Sequence, residues 1–357
     1  MSTSTERLSL PSASTVRHQV EQALRDFLKV RQSGAEGEPP MPEGMPRVLE
    51  NYLLHGGKRL RSLLCVTGWY AGGGRHLAQS VVQVAASLEM FHACALLHDD
   101  VMDDSRLRRG LPTAHRSLAR EPGGVRAQRF GTSAAILLGD LALSWSDELL
   151  RTAGLTPRQL RLAGAEMDSM RRVTVYGQYQ DLLSAHLRSL HAEEALFIAH
   201  FKTARYTVDA PLRIGAVLAG AEQETLCRLS EFAIPLGIAF QLRDDVLGVF
   251  GRPEETGKSC SEDLREGKCT LLAALGVADA DSADARRLRE LLKGPLTGAQ
   301  ETEARRLLIS TGARESVESR ITHLQQEALD ALTSSDLPAE VVESLRHLAA
   351  RLTVRTA

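Results

Sequence analysis

The chain has 357 residues, of which 43% are apolar, 25% charged and only 4% aromatic. Its 43 basic and 45 acidic side chains leave a formal charge of −2, which excludes a generic nucleic-acid binder with its strong basic excess. No window approaches the roughly 18 apolar residues of a membrane span, and five scattered cysteines without a CxxC pair fit a reducing cytoplasm rather than a disulfide framework or zinc site.

Residues 1–15 are Ser/Thr-rich, lack the apolar core of a secretory signal, and read as disordered. Residues 16–32 put Val16, Val20, Leu24, Phe27 and Leu28 on one helical face. A Pro/Gly/Glu linker follows over 33–46. From about Arg47 apolar residues recur at helical spacing, Ala and Leu dominate, and alternating strand patterns are scarce. Breaks are predicted at Gly72–Gly74, Gly110–Pro112, Pro122–Gly124, Gly154–Pro157, Gly220, Gly251–Pro253 and Gly294–Pro295. No repeat of fixed period is present. The expected organisation is a flexible N-terminal segment, 1–46, with one short helix, and a single large all-α domain over 47–357.

Two acidic clusters stand out. His98-Asp99-Asp100-Val101-Met102-Asp103-Asp104 follows an apolar run, Ser87–Leu97, without a break. Asp99 and Asp103 are four apart and share a helix face. Like charges at that spacing destabilise a helix, and acids at a helix C-terminus oppose the dipole. Such a patch reads as a solvated acidic helix end or, in better accord with its place at the C-terminal end, as a site for a hard divalent cation; Mg²⁺ takes one or two carboxylates together with substrate phosphates. The second cluster, Phe240-Gln241-Leu242-Arg243-Asp244-Asp245, is read as an Asp pair closing another apolar helix. Two facing Asp pairs would hold Mg²⁺ ions against a departing diphosphate.

The cations fall in register with this reading. Of the 43 basic residues, 37 are Arg and six are Lys. Lys58 and Arg61 follow Gly56-Gly57; Arg108-Arg109 follow the first acidic cluster; Lys202-Thr203, Lys258 and Lys268 come later. Arg grips phosphate through two parallel bonds and Lys acts as a point charge. Singly, each is most often a surface residue; the order around two acidic clusters is what carries the signal.

At this point the chain resembles the trans-isoprenyl diphosphate synthases, or polyprenyl synthetases. The resemblance rests on GGKRLR at 56–61, LLHDDVMDDSRLRRGLPTAH at 96–115, GD at 139–140, GQYQDL at 177–182, KT at 202–203, FQLRDD at 240–245 and GK…EDLREGK at 257–268. It implies an all-α bundle of the isoprenoid synthase type around a deep apolar cavity, usually a homodimer. The implied reaction is Mg²⁺-dependent condensation of isopentenyl diphosphate with an allylic diphosphate. It further implies Asp99, Asp103 and Asp244 as ligands of three Mg²⁺ ions that bind with diphosphate, with Asp100 in support. Arg108, Lys202, Lys258 and Lys268 correspond to ligands of the allylic diphosphate. Lys58, Arg61, His92 and Arg109 correspond to the isopentenyl diphosphate pocket, and Thr203 and Gln241 to polar groups near the developing cation. Gly248 stands where the family's second motif often carries a further Asp.

In this family the residues four and five before the first Asp set the cavity floor. Here they are Cys94 and Ala95, both small. Met90 and Phe91 lie about one turn deeper; Phe91 is eight residues from Asp99, roughly 12 Å along a helix. The expected product is therefore C20, geranylgeranyl diphosphate, ahead of C15 or C25 and longer. A class I terpene cyclase would leave Lys58, Arg61 and Arg109 unexplained, and a non-catalytic partner subunit would not keep the first acidic cluster intact.

Overall fold

Helix follows helix in the computed structural model, which describes residues 8–34, 37, 39–120, 123–251, 264, 268–279, 282–294 and 296–353. These fall into two compact units, one comprising Met1–Gly164 with Ile214–Ala221 and the other Ala165–Arg213 with Glu222–Ala357.

The first unit is organised around a single apolar helix. It contains α1 (Ala13–Gln32), α2 (Met45–Leu54), α3 (Leu60–Ala71), α4 (Gln79–Met102), α5 (Ala114–Arg120) and α6 (Ala127–Arg151). Helices α1, α2, α3, α5 and α6 all pack on α4. That explains its sequence: Val84, Leu88, Met90 and Leu97 are fully buried, and apolar residues occur on nearly every side. Each such side chain contributes about 1.5–3 kcal/mol by leaving water. Helix α4 is also long and apolar enough to cross a membrane, with a mean hydropathy of 1.5 over its best window. This corrects the expectation that no window comes close; the helix is apolar because neighbouring helices enclose it.

Helix α1 begins at Ala13, capped by the Ser12 hydroxyl, and buries Val16, Val20, Leu24 and Leu28 as the periodicity predicts. The predicted Phe27 lies at the edge of that face, with its ring edge-on to Trp145 at 5.7 Å. Between α4 and α5 the chain forms a small hairpin, β1 (Leu107–Arg108) against β2 (Leu111–Pro112). Arg109 and Gly110 turn it, both with positive φ, at 53° and 78°.

The division between the units falls within α7 (Pro157–Leu187) and α9 (Ala210–Ala219). The second unit holds α8 (Ala192–Ile198), a π-helical segment Ala199–Asp209, and α10 (Gln223–Phe250). It continues with α11 (Leu271–Gly276), α12 (Ala283–Leu291), α13 (Gly298–Ser310), α14 (Ala313–Thr333) and α15 (Ala339–Thr353). Helix α10 packs against the π segment, α11, α14 and α15, and sends Leu242, Val246 and Val249 into a core with Leu272, Leu308, Val317 and Ile321. Here the structure corrects the sequence reading: Asp244 and Asp245 do not close α10, which runs on to Phe250. Val246, Leu247 and Val249 remain buried beyond the Asp pair and keep the helix going.

Candidate functional site

The three carboxylates at the end of α4 are held differently. Asp100 is fully buried and Asp99 and Asp103 are partly exposed. Asp100 accepts the Tyr52 hydroxyl at 2.6 Å and the Arg108 guanidinium through Nη2 at 2.6 Å and Nε at 3.0 Å. The second Nη2 contact of Arg108 reaches Asp99 at 3.3 Å. Burial works against the Arg108 charge, but the hydrogen bonds and charge of Asp100 outweigh it, and its pKa rises. Burial, reinforced by the Asp100 charge, also raises the Tyr52 pKa, so its hydroxyl stays a donor. The hairpin therefore delivers Arg108 to the acidic helix end. Asp103 forms the C-cap of α4, so its side chain leaves the helix one turn beyond Asp99. Asp104, next along, is exposed and pairs with Arg116 at 2.7 Å.

The cations of the first unit converge beside it. Gly56 and Gly57 take φ values of 69° and 85°, and a Cβ on Gly57 would come within 3.1 Å of Arg109 Nη2. That turn brings the carbonyls to Arg109, whose Nη1 donates to His55 O at 2.6 Å. Arg59 is buried, itself at φ 50°, and is anchored to Glu89, Glu21 and the Leu53 carbonyl. Glu89 also accepts the Ser62 N–H and hydroxyl, which ties the start of α3 to α4. Burial, then the guanidiniums of Arg61, Arg109, Arg108 and Arg59, hold the His92 imidazole well below its ordinary pKa. His92 is therefore neutral near pH 7, and Arg61, Arg108 and Arg109 lie near enough for their charge to act on it. Lys58 is exposed on the same loop.

On α4, Met90, Phe91 and Cys94 are buried, and Ala95 is partly exposed. His98 reaches toward Asp140 at 3.5 Å, which gives the Gly139-Asp140 pair of the sequence a contact with the helix that carries Asp99.

In the second unit the Lys-Thr pair lies in the π-helical segment, a rare geometry that is frequent at functional sites. Lys202 Nζ binds Asp181 on α7 at 2.6 Å. The Thr203 hydroxyl donates to Gln241 Oε1 on α10, and Gln241 Nε2 donates to Asp245 at 2.7 Å. The π segment can approach because α7 and α10 carry glycines where it passes. A Cβ on Gly177 would sit 2.5 Å from Lys202 N, and one on Gly237 would sit 2.5 Å from Ala204 Cα. Asp244 is partly exposed on α10. Its neighbour Arg243 forms a bidentate pair with Glu318 on α14, at 2.7 and 2.6 Å, and donates to Thr353 O on α15.

Lys268 precedes α11, whereas Lys258 and most of EDLREGK lie outside the described residues. Sequence reasoning missed Tyr52 and assigned no role to Asp181 or Asp245. Asp181 was visible within GQYQDL; Tyr52 carried no signal, because an aromatic between apolar residues reads as core. Among the described residues no group of three His, Cys, Asp or Glu side chains is gathered into a metal cage.

A predominantly helical chain with carboxylates at a helix end beside clustered guanidiniums fits an enzyme of the isoprenoid synthase class. The family profile described as polyprenyl synthetase matches residues 43–308. Geranylfarnesyl diphosphate synthase of Aeropyrum pernix is 33% identical over 293 residues, covering 81% of this chain and 86% of that protein. Geranylgeranyl pyrophosphate synthase of Corynebacterium glutamicum, solved with isoprenyl diphosphate and magnesium, superposes with a TM-score of 0.91 at 36% identity, over 97% of this chain and all of that one. A polyprenyl synthase of Caulobacter crescentus, solved with calcium and isoprenyl diphosphate, gives a TM-score of 0.78 at 28% identity, over 98% and 99% of the two chains.

The chain belongs to the polyprenyl synthetase family. It is a trans-prenyltransferase that joins isopentenyl diphosphate to an allylic diphosphate, and its family works with a divalent metal.

Proposed function

We propose that this prenyltransferase makes the C20 product, geranylgeranyl diphosphate, uses Mg²⁺, and acts as a cytoplasmic homodimer. The observation that carries the product length is the stack on α4: Cys94 is small, while Met90 and Phe91 are buried about one turn deeper. A growing chain would pass the small residue and stop on the larger ones. Relatives named geranylgeranyl diphosphate synthase, from Capsicum annuum and Saccharolobus solfataricus, support C20. The Aeropyrum name favours C25 as the competing reading.

The residues fit a hard cation. Asp100 is fully buried between Arg108 and Tyr52, whereas Asp99, which also meets Arg108 at 3.3 Å, and Asp103 are partly exposed at that helix end and are the carboxylates a bound Mg²⁺ would reach. Asp99 and Asp103 would hold the ion together with oxygens of the substrate diphosphate, the donor set that Mg²⁺ favours. Asp244 is the corresponding ligand on α10. Bound Mg²⁺ supplies positive charge that stabilises the leaving diphosphate.

Arg108, Lys202, Lys258 and Lys268 bind the allylic diphosphate, and Lys58, Arg61 and Arg109 bind isopentenyl diphosphate. Neutral His92 adds a hydrogen bond to that second group without a further charge. The allylic C–O bond breaks and its electron pair leaves with diphosphate. The C=C of isopentenyl diphosphate then gives its pair to the allylic carbon, forming the new C–C bond. A proton is lost from the resulting cation to the released diphosphate. Thr203 and Gln241, bonded to one another, present oxygen dipoles to the positive charge, and Asp181 orients Lys202.

The test is incubation with Mg²⁺, isopentenyl diphosphate and each short allylic starter, followed by chain-length analysis. C20 is expected from wild type and longer chains from Phe91→Ala. A dominant C25 product, or a Phe91→Ala distribution identical to wild type, overturns the chain-length assignment.

A further inference from the structure

Tyr52 is 7% exposed on α2, and its hydroxyl oxygen joins three elements. It donates to Asp100 Oδ2 on α4 at 2.6 Å and accepts the N–H of Ala114, the first residue of α5, at 3.0 Å. Arg108 Nε shares that same Oδ2 at 3.1 Å while its Nη2 holds Oδ1 at 2.6 Å. The Asp100 carboxylate is thus clamped between one neutral donor and one guanidinium, with no exposed surface. A carboxylate held on both sides cannot rotate about χ2 without breaking a charge-assisted bond.

We propose that Tyr52 is a positioning residue for the allylic diphosphate: through Asp100 it fixes the angle at which Arg108 is presented. The inference rests on the reading of Arg108 as a ligand of that diphosphate. Without the hydroxyl, Oδ2 keeps Arg108 as its partner and the carboxylate turns toward the guanidinium. The Arg108 fork is drawn inward, away from Asp99 and from the phosphate oxygens it serves. Arg109 is insulated from the change because its bonds go to backbone carbonyls, Tyr52 O and His55 O, which a side-chain substitution leaves in place. The effect is therefore selective between the two substrates.

The experiment compares wild type, Tyr52→Phe, Arg108→Gln and the double variant. Read-outs are KM for each substrate, kcat, Tm, and the Tm rise produced by inorganic pyrophosphate with Mg²⁺. Tyr52→Phe keeps the ring in its packing, so Tm reports whether the fold survives. Expected for Tyr52→Phe is a rise of about tenfold in the allylic KM, the scale of one lost charge-assisted hydrogen bond. The isopentenyl KM stays within about twofold, and the pyrophosphate-induced Tm rise shrinks. In the Arg108→Gln background the same substitution adds less than about twofold, because its route of action is gone. Equal rises in both KM values, or full additivity in the double variant, would mean a merely structural role and overturn the proposal. If Arg108→Gln weakens the allylic substrate and Tyr52→Phe does not, the proposal alone falls. If Arg108→Gln itself leaves the allylic KM unchanged, the assignment of Arg108 falls and takes the proposal with it.

Discussion

Alanine at Gly177 tests whether the Lys-Thr segment is placed by steric room on α7. The added Cβ would meet Lys202 N at 2.5 Å and Lys202 Cα at 2.9 Å, where ordinary contact begins at 3.4 Å. Both obstacles are backbone, so no side chain can swing away and the two elements must separate by about 0.9 Å. Overpacking of this kind costs about 1–3 kcal/mol, and the better helix propensity of Ala returns about 1 kcal/mol. The net expectation is a loss of about 1 kcal/mol and a Tm lower by about 1–2 °C for a chain of this length. Gly164 on the same helix is the internal control: nothing lies within 4 Å of its Cβ position, so Gly164→Ala should raise Tm by a similar amount. Activity separates the two further. Displacing Lys202 by nearly 1 Å should lower kcat/KM on the order of tenfold to a hundredfold, whereas Gly164→Ala stays near wild type. Calorimetry and a labelled isopentenyl diphosphate assay read both effects. If both substitutions raise Tm and leave turnover intact, the close approach at Gly177 does not govern Lys202.

Three other expectations follow from the first unit. Asp99→Ala should reduce turnover on the order of a hundred- to a thousandfold with Tm nearly unchanged, since its side chain is partly exposed; substantial residual activity contradicts the metal assignment. Asp100→Asn should lower unfolding free energy by about 2 kcal/mol in urea titration, because it leaves the half-buried Arg108 with only the longer contact to Asp99 as counter-charge; a neutral outcome refutes a stabilising role for the Arg108–Asp100 pair. His92 is held neutral in the folded state, below its unfolded pKa of about 6.5. The unfolded chain therefore binds the extra proton, and stability is complete above about pH 6.5 and declines as pH falls below it. His92→Gln should flatten that decline relative to wild type in urea titrations at about pH 8 and pH 5.5, and equal slopes would refute it.

The helical order was open to reading because it is local. Apolar spacing places Val16, Val20, Leu24 and Leu28 of α1 correctly, and the four-residue step from Asp99 to Asp103 puts both at one helix end. What depends on distant partners was not. Tyr52 looks like any core aromatic until Asp100, 48 positions away, is beside it. Gly177 and Gly237 stand in plain view, yet their purpose depends on the π segment, whose backbone at Lys202 and Ala204 packs directly against them. The π-helical register over Ala199–Asp209 leaves no mark in a periodicity scan, since one inserted residue per turn is within the noise of that pattern. The continuation of α10 past Asp245 was hidden for the opposite reason: two adjacent charges looked like an ending, while Val246 and Val249 were supplying enough burial to extend it.

Arg243 has a practical consequence for anyone handling this protein. Its guanidinium fastens the stretch bearing Asp244 to Glu318 and to the carbonyl of Thr353, near the tail of the chain. A variant that unwinds α15 ahead of that carbonyl loses one half of the rivet, so assays of turnover are best run with Thr353 kept in its helix.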